Sequence, residues 1–506
     1  MIRNIYWERT ILWVQCDTGE GASLRLAGAD RSYPFRVYAG ESERAALCLS
    51  NVADGRFLES GTWTLARAKD VSSAVLEKLP ELSRVFSYGA GSHYIVSFVY
   101  DVERDQLLVN TQFVKKNPHP RRRRRKQELV RLGMQAIYRF WRLVTAGPGR
   151  RARTAFLSQT RDAASDNMKA VMDRMVERQL DRKYPITTLF RNTMKPGMNL
   201  GSQLALLRKL ASADTLFIDD YMPCLSYVKL DRNVKLVQLW HAGVGYKLLG
   251  YARFGMDGSP HPYQSCHRQY THAVIGNEHL KDIYAEVFGV NREVLLPTGM
   301  PRLEHFLDAD VRQSACDGVL HRHPELAGKR VILFAPTFRG AGQKEAFYDY
   351  SHIDQEAIWR MCRETDSIFV FKWHHFIRQP MAIGPEYADR LVDYSEDDLN
   401  ELMYVSDVLI TDYSSCFYDY LLLERPILFY IFDEEAYSLT RGVHEPVHET
   451  APGLICRTSA ELIDALRQKT VPRVAPQPQM VDMCLTNGSY TASDRIIDAV
   501  FGEGKG

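Results

Sequence analysis

The sequence predicts an α/β fold with two doubly wound halves, preceded by a small β-rich domain and a basic helix. Short apolar runs alternate with helical segments from Arg153 onward, which is typical of parallel sheets covered by helices. Residues 1 to about 105 instead alternate β-type runs with Gly, Asp and Ser turns, a pattern typical of an antiparallel β-sandwich. Five consecutive arginines, at 121–125, precede a helix-like stretch in the segment between these two regions.

Length bounds the number of domains. A chain of 506 residues is too long for one core and predicts about three domains. We place a β-sandwich-like accessory domain at 1–110, a basic amphipathic helix or linker at 111–150, and Rossmann-like domains at 151–312 and 313–506.

Nine cysteines lie scattered without a CxxC pair and no signal peptide opens the chain, so we expect a reducing cytoplasm. No apolar run is long enough to span a bilayer.

Short apolar runs predict the strands of the two halves. In the first half they are TAFLSQT, TLFIDDY, KLVQLWH, HAVIGN and REVLLPTG, with helices over Asp166 to Leu180 and His279 to Phe288 between them. In the second half they are VILFAPT, IFVFKWH, RLVDY, VLITDY and PILFYIF. The segment NGSYTASDRIIDAVFG supplies a closing helix.

The most informative stretch runs from Val405 to Tyr430. Its apolar run suits a buried parallel strand, and four residues that can cap the next helix follow: Thr411, Asp412, Ser414 and Ser415. Free backbone N–H groups, the positive end of a helix dipole and two hydroxyls would meet there, as a phosphate requires. The turn is neither a Walker loop nor a glycine fingerprint, and an ordinary capped helix is an equally good interpretation of this segment alone.

Three other strands also end in reactive side chains. These are Trp240 and His241 in LVQLWHAGVGYKLLGY, Thr337 and Arg339 in VILFAPTFRG, and Lys372, His374 and His375 in IFVFKWHHFI. Ligands of open α/β sheets bind beyond the carboxyl ends of the strands. Together the four strand ends predict one polyanion site.

Six segments occur in order along the chain: WHAGVGYKLLG, TGMPR, FAPTFR, FKWHHF, DLNELMYVSDVLITDYSSCFYDYLLLERPILFYIFD and RGVHEP. They resemble the motifs of the CDP-glycerol glycerophosphotransferase family, the teichoic acid and capsule polymerases and primases of bacteria. The resemblance spans roughly Phe156 to Phe501 and is most specific from Asp398 to Asp433. It implies two facing Rossmann-like domains of the glycosyltransferase-B type, with the nucleotide mainly on the second and the acceptor mainly on the first.

The resemblance also implies the reaction and the catalytic residues. A polyol phosphate, glycerol phosphate first and ribitol phosphate second, would pass from a CDP-linked donor to a hydroxyl of a lipid-linked polyol-phosphate or saccharide acceptor, releasing CMP. His241 occupies the family's essential histidine position and is the expected general base, since histidine titrates near neutral pH. His374 matches the second histidine, which would donate to the transferred phosphate or to CMP. It lies on the same strand face as Lys372 by two-residue alternation, whereas His375 stands where the family commonly has proline.

The remaining candidates would bind the donor: Trp240, Arg302, Thr337, Arg339, Lys372, Ser414, Ser415 and Asp419. The two serines would hold the pyrophosphate, Asp419 would accept hydrogen bonds from polyol or ribose hydroxyls, and arginine suits bidentate phosphate contact. Asp219 and Asp220, at another strand end, raise the alternative of a Mg²⁺-held diphosphate. Adjacent carboxylates point to opposite faces of a strand, so only one would reach a metal. We therefore predict no metal site and no obligatory cofactor.

The basic helix predicts docking on an anionic membrane. Its apolar stripe consists of Val130, Met134, Ile137, Trp141 and Val144, beside Arg131, Arg139 and Arg142. Such a helix can lie in a bilayer interface, which would place the protein on the inner face of the cell membrane. A linker helix packed on the next domain is the alternative. Nucleic-acid binding is not expected, because no basic patch elsewhere supports it, and nothing indicates the oligomeric state.

Two other function classes stay open at the level of sequence. A sugar-nucleotide glycosyltransferase would use the same architecture to make a glycosidic bond, and fold does not distinguish the two. A non-catalytic scaffold bound to the membrane through the basic helix would need neither histidine. The sequence does not separate a primase from a polymerase.

Overall fold

The computed structural model describes residues 1–17, 21–37, 43–53, 55–67, 70–88, 92–115, 121–145, 152–191, 200–241, 247–256, 260–262, 265–340, 345–444, 447–468, 472–473 and 491–502. The chain divides into two compact units. The first contains Met1–Trp240, Leu249–Ala273 and Lys281–Leu296, and the second contains His241–Leu248, Val274–Leu280 and Pro297–Gly506.

The first unit begins with an antiparallel β domain. Its strands are β1 (Ile2–Glu8), β2 (Ile11–Cys16), β3 (Arg25–Ala27), β4 (Ser32–Pro34), β5 (Arg36–Val37), β6 (Arg44–Cys48), β7 (Gly61–Arg67), β8 (Arg84–Tyr88), β9 (Ser92–Asp101) and β10 (Gln106–Lys115), with helices α1 (Ser73–Glu77) and α2 (Leu79–Leu82). They form two sheets, in the orders β1-β2-β6-β5 and β4-β3-β7-β10-β9-β8. The two sheets share one apolar core, which also includes Tyr251 and Phe254.

Polar contacts tie the β domain to the rest of the first unit. Glu286 is 3% exposed and accepts hydrogen bonds from the Arg9 side chain and from Thr10 Oγ1. Arg268 donates to the carbonyl oxygens of Ser50 and Gly289. A buried carboxylate that is paired and hydrogen-bonded fixes the relative position of its partners. The β domain is therefore a built-in part of this unit.

Helix α3 (Arg121–Thr145) follows the β domain and packs by one face. Tyr138 is fully buried, and Arg142 pairs with Asp214 and Asp231. In the predicted stripe, Met134, Ile137 and Trp141 are half-buried, whereas Val130 and Val144 are exposed. The side chains of residues 121–127, including the arginine run, lie outside the described ones.

A parallel sheet completes the first unit. Its strands are β11 (Thr154–Ser158), β12 (Ile186–Phe190), β13 (Thr215–Ile218), β14 (Lys235–Gln238), β15 (His272–Val274) and β16 (Leu295–Leu296), in the order β12-β11-β13-β14-β15-β16. Its helices are α4 (Asp166–Glu177), α5 (Leu200–Ser212) and α6 (Lys281–Phe288). Strands β11 and β13 are buried along their whole length, as expected for a sheet covered on both faces.

The second unit contains another parallel sheet. Its strands are β17 (Arg330–Phe334), β18 (Ser367–Phe371), β19 (Leu391–Asp393), β20 (Val408–Thr411), β21 (Ile427–Tyr430) and β22 (Leu454–Cys456), in the order β19-β18-β17-β20-β21-β22. Its helices are α7 (Arg302–Leu307), α8 (Ala309–Arg322), α9 (Gln355–Glu364), α10 (Leu399–Val405), α11 (Cys416–Leu421), α12 (Glu434–Thr440), α13 (Val447–Thr450), α14 (Ser459–Arg467) and α15 (Ala492–Phe501). Among the helices that the structure describes, none contains an apolar stretch of the length that a bilayer crossing requires.

Candidate active site

In the second sheet, the order in which successive strands are added reverses between β17 and β20. Its strand order is that of a doubly wound nucleotide-binding sheet, in which ligands bind beyond the carboxyl ends of the strands at this point. Thr337 follows β17, Lys372 and His374 follow β18, and Ser414 follows β20. The fold therefore brings these predicted residues to one edge of one sheet.

Arg339 lies at this edge with its guanidinium committed to carboxylates. Nε and Nη2 donate to the two oxygens of Asp433 at 2.6 and 2.9 Å, and Nη1 donates to Asp412 at 2.7 Å. Asp412 is 1% exposed, and its other oxygen accepts the N–H groups of Thr337 and Tyr413 at 2.7 and 2.6 Å. Arg339 is thus engaged in holding the ends of β17 and β20, and its predicted contact with nucleotide phosphates would require this pairing to break.

Aromatic rings enclose the same guanidinium. Its central carbon lies 5.1 to 5.6 Å from the ring centroids of Tyr348, Tyr413, Phe432 and Tyr437. Such contacts add cation–π stabilisation to the ion pairs and exclude water from them. The pairs are therefore stronger than surface pairs would be.

Lys247 is a site residue that the sequence analysis did not select. Its Nζ donates to Thr337 Oγ1 at 2.5 Å, and its backbone forms a bridge with Val443. Burial is the main cause that lowers the pKa of Lys247 to about 8, partly opposed by the charge of Asp412. The residue belongs to the segment WHAGVGYKLLG, so its motif was visible, but a loop lysine is ordinarily a solvated one.

His374 is buried beside other basic groups. Its Nδ1 accepts the N–H of Phe376 at 3.2 Å, so in the neutral ring the proton sits on Nε2. Burial lowers the pKa of His374 to about 3, and the neighbouring side chains of His375 and Lys247 act in the same direction. A neutral imidazole with Nε2–H can donate a hydrogen bond to an oxyanion but supplies no positive charge.

Phe338 joins this histidine to a nearby arginine. The ring centroids of Phe338 and His374 are 4.7 Å apart, and the guanidinium carbon of Arg441 lies 4.7 Å from the Phe338 ring. Lys372 donates its Nζ to the carbonyl oxygen of Ser395, after the neighbouring strand β19. The edge thus carries several cations, which suits a polyanion, although carboxylates of the segment 393–398 lie near Lys372.

Ser414 and Ser415 precede α11 directly. Ser415 occupies the N-cap position, and its side chain makes no capping hydrogen bond within the described residues. Ser414 Oγ accepts the N–H of Cys416 at 3.4 Å. Both serines are half-buried, so their hydroxyls and the first backbone N–H groups of α11 lie where the sequence predicted a phosphate contact.

Arg302 and Asp419, predicted as separate donor contacts, pair with each other. The two guanidinium Nη atoms reach both carboxylate oxygens of Asp419, and Nη2 also lies 3.5 Å from the carbonyl oxygen of His241. His241 itself is exposed. The pair is therefore placed to support the backbone of the predicted base.

Trp240 belongs to the first unit and holds an unusual backbone conformation. Its φ angle is 56°, which is uncommon for a residue other than glycine. Its N–H donates to Gln238 Oε1 at 2.9 Å, and its carbonyl accepts from Asn167 Nδ2 at 2.7 Å. Its ring packs against Phe288, with the side chain 5% exposed. We infer that Asn167 and Gln238, which the sequence analysis missed, fix the peptide that leads into His241.

Comparison with known proteins decides the family. Residues 139–502 match the model described as CDP-Glycerol:Poly(glycerophosphate) glycerophosphotransferase. The chain belongs to this family. The resemblance seen in the sequence motifs is therefore confirmed.

Curated relatives of this glycerophosphotransferase family member include ribitol-phosphate enzymes. It is 32% identical over 348 residues to the teichoic acid ribitol-phosphate polymerase TarL of Staphylococcus aureus, and 33% identical over 349 residues to TarK of the same species. These alignments cover 69% and 68% of this chain and 62% and 67% of the relatives. A teichoic acid glycerol-phosphate primase of Bacillus spizizenii is 28% identical over 51% of this chain and 66% of that protein. The chain thus spans about six tenths to two thirds of these relatives' length.

The solved structure of the wall teichoic acid polymerase TagF shows the same fold. Its TM-score is 0.58 at 21% sequence identity, over 76% of this chain and 98% of that chain. Two Rossmann-like domains of the glycosyltransferase-B type and a β-rich amino-terminal region are therefore confirmed.

Proposed function

We propose that this protein transfers a polyol phosphate from a CDP-linked donor to a hydroxyl of a lipid-linked polyol-phosphate or saccharide acceptor and releases CMP. The cationic strand ends at the switch point of the second sheet carry the proposal, because a diphosphate requires charge neutralisation in a positioned site. Membership of the family supplies the reaction class. The same edge would bind the diphosphate of the donor.

The proposed reaction is a displacement at the β-phosphorus. The acceptor oxygen forms a bond to that phosphorus while His241 takes the hydroxyl proton. The bond from the phosphorus to the bridging oxygen breaks, and its electron pair leaves with CMP. Nε2–H of the neutral His374 donates to the phosphoryl oxygens, and Ser414 and Ser415 hold the diphosphate.

For the polyol we propose ribitol phosphate ahead of glycerol phosphate. The ribitol-phosphate polymerases match more of this chain, at 32% and 33% identity, than the glycerol-phosphate primase does at 28%. This reverses the order expected from the motifs alone. Teichoic acid synthesis is the corresponding process in our proposal.

The test is to supply CDP-ribitol, CDP-glycerol, UDP-glucose and GDP-mannose with a lipid-linked acceptor analogue and to measure nucleotide release. We expect CMP release from the CDP-linked donors and its loss in His241→Asn, while His321→Asn, an exposed histidine of α8, stays at the wild-type rate. Release of UDP or GDP would favour a sugar transferase. Polymer synthesis that survives His241→Asn but needs α3 would favour the scaffold.

The proposal includes no obligatory metal. Among the described residues, no group of three or more His, Cys, Asp or Glu side chains is arranged to hold an ion. Asp219 is 1% exposed and lies 3.6 Å from Arg161 in the first unit, and burial raises the pKa of its carboxyl. We expect activity to persist in EDTA, whereas loss that Mg²⁺ restores would contradict this part of the proposal.

We further propose that α3 docks on the anionic inner face of the cell membrane. Its outward face carries Leu129, Leu132, Phe140 and Leu143, which are 57% to 79% exposed and recur at helical spacing. Arg139 is exposed beside them, and the helix begins with five arginines in sequence. An apolar stripe flanked by arginines fits an anionic bilayer interface. This stripe differs from the one that the sequence analysis selected.

Vesicle flotation tests the docking. Leu132→Ser with Phe140→Ser should weaken binding to vesicles that contain phosphatidylglycerol, and phosphatidylcholine vesicles should bind poorly. Val102→Ser removes an equally exposed apolar side chain, 76% exposed, from the β domain and serves as the control. Equal binding by the double variant and the wild type would refute the assignment.

A further inference from the structure

Lys247 carries an ammonium group that the reaction scheme above does not use. Its Nζ bonds to Thr337 Oγ1, and Thr337 is 1% exposed at the end of β17. Its backbone is held beside Val443 by a β-bridge, and the next residue, Leu248, donates its N–H to the Gly442 carbonyl. The side chain is therefore fixed at the ligand-binding edge of the sheet from two sides.

The charges around Lys247 come from several elements. Asp412, after β20, attracts the ammonium, while Arg339 and Arg441 repel it, and the thiol of Cys416 in α11 is also near. Both oxygens of Asp412 already accept hydrogen bonds from other groups, one of them from Arg339. Within the described part of the chain, Lys247 makes no ion pair, and its ammonium donates a hydrogen bond to a neutral hydroxyl.

A desolvated ammonium that donates to a neutral hydroxyl rather than to an anion is costly unless an anion binds it. His374 and Lys372 are close enough to Lys247 to form one basic group, since both Lys247 and Lys372 lower the pKa of His374. Because His374 is neutral near pH 7, the lysines supply the positive charge. The hydroxyl of Thr337 accepts a hydrogen bond from Lys247 and can itself donate a hydrogen bond to a phosphate oxygen.

We propose that Lys247 binds the diphosphate of the CDP-linked donor and stabilises the CMP that leaves. This inference rests on the proposed function. When the bond from the β-phosphorus to the bridging oxygen breaks, the electron pair stays on that oxygen of CMP. Lys247 keeps its proton throughout and donates a hydrogen bond to the departing phosphate, while the acceptor proton goes to His241.

The first test compares Lys247→Met with the wild type. We expect kcat/KM for the CDP-linked donor to fall by about 100- to 1,000-fold, as when one donor to a developing oxyanion is removed. Lys329→Met, which removes a half-buried lysine that pairs with Asp366 before β17, should leave it unchanged. Methionine replaces a desolvated charge by an apolar chain of similar length, so the melting temperature should not fall. Equal kcat/KM in Lys247→Met and wild type would overturn the proposal.

The second test is the pH profile, because a merely structural lysine would not shape it. With a pKa of about 8, the lysine of the free enzyme loses its proton above that pH, so wild-type kcat/KM should decline there. Lys247→Arg should retain part of the activity and lose this alkaline decline, since arginine does not titrate in that range. An identical alkaline limb in Lys247→Arg would contradict the assignment.

A binding measurement separates this inference from the proposed function. CDP should bind the wild type and protect Lys247 from acetylation by acetic anhydride, as followed by mass spectrometry. If the wild type shows no CMP release from any CDP-linked donor, the proposed function fails. If it releases CMP but CDP leaves Lys247 equally reactive, the assignment of Lys247 fails alone.

Discussion

Replacing Arg339 by methionine should destabilise the second unit by about 3–5 kcal/mol, the typical cost of removing one partner from a buried ion pair. Arg339 is 7% exposed and bonds to both Asp412 and Asp433. Its loss would leave the Asp412 carboxylate, 1% exposed, without the guanidinium that donates to it. Methionine keeps much of the contact with the surrounding rings, so the loss would be mainly electrostatic.

Hydrogen exchange followed by mass spectrometry measures this cost where it arises. Each 1.4 kcal/mol is a factor of ten, so amides of β17 and β20 that open with this unit should exchange about 10² to 10⁴ times faster. Arg360→Met removes an arginine from an exposed pair with Glu356. It should change the free energy of opening, as reported by exchange, by less than about 1 kcal/mol. Peptides of the amino-terminal β domain serve as an internal reference.

A double variant tests the cause. Asp412→Asn in the Arg339→Met background removes the unpaired charge, so it should restore about 2 kcal/mol, a coupling expected only of contacting groups. Additive losses, or exchange in Arg339→Met within a factor of three of the wild type, would refute the buried-pair argument. The guanidinium would then be available for the nucleotide phosphates, as the sequence analysis predicted.

Three further substitutions probe the backbone and the buried histidine. Gly442→Ala should lower kcat/KM at least tenfold, because a Cβ at φ +72° would lie 2.4 Å from Leu248 Cδ1, beside Lys247; normal activity would show that this segment adapts. Asn167→Ala should cost about 0.5–1.5 kcal/mol by removing the hydrogen bond that Asn167 Nδ2 donates to the Trp240 carbonyl, and should lower kcat more than donor KM, with thermal melting and steady-state kinetics as the measurements. His374→Gln, which keeps an N–H donor, should retain more activity than His374→Ala. The wild-type imidazole is neutral in the folded protein but takes up a proton when the chain unfolds, so the wild type loses stability as the pH falls from 6.5 to 3. The stability of His374→Gln should fall less over the same pH range.

The strands that are buried on both faces were predicted from the sequence. β17, β18, β20 and β21 read as continuous apolar runs, and the structure buries nearly every residue in them. β12 (Ile186–Phe190) escaped prediction because it is an edge strand with two threonines and no buried position. β22, three residues long at the other sheet's edge, gave no periodic signal.

For the site, strand ends were predictable and long-range pairings were not. A parallel sheet aligns the carboxyl ends of its strands, so Thr337, His374 and Ser414 had to share one edge. Arg339 is separated from Asp433 by 94 residues in the sequence, and Arg302 is separated from Asp419 by 117. Nothing in local periodicity encodes such a pairing. It emerges only when the loops pack.

The pairings imply a division of labour between arginine and lysine at this edge. The arginines form bidentate pairs with carboxylates, which suit the planar guanidinium and would cost several kcal/mol to break. Lys247 and Lys372 instead bond to a hydroxyl and a carbonyl oxygen, and exchanging one neutral hydrogen bond for a phosphate costs about 0.5–1.5 kcal/mol before the ionic gain. An incoming diphosphate would therefore take the lysines and leave the arginine pairs intact. On this argument, the arginines hold the strand ends in place and the lysines bind the donor.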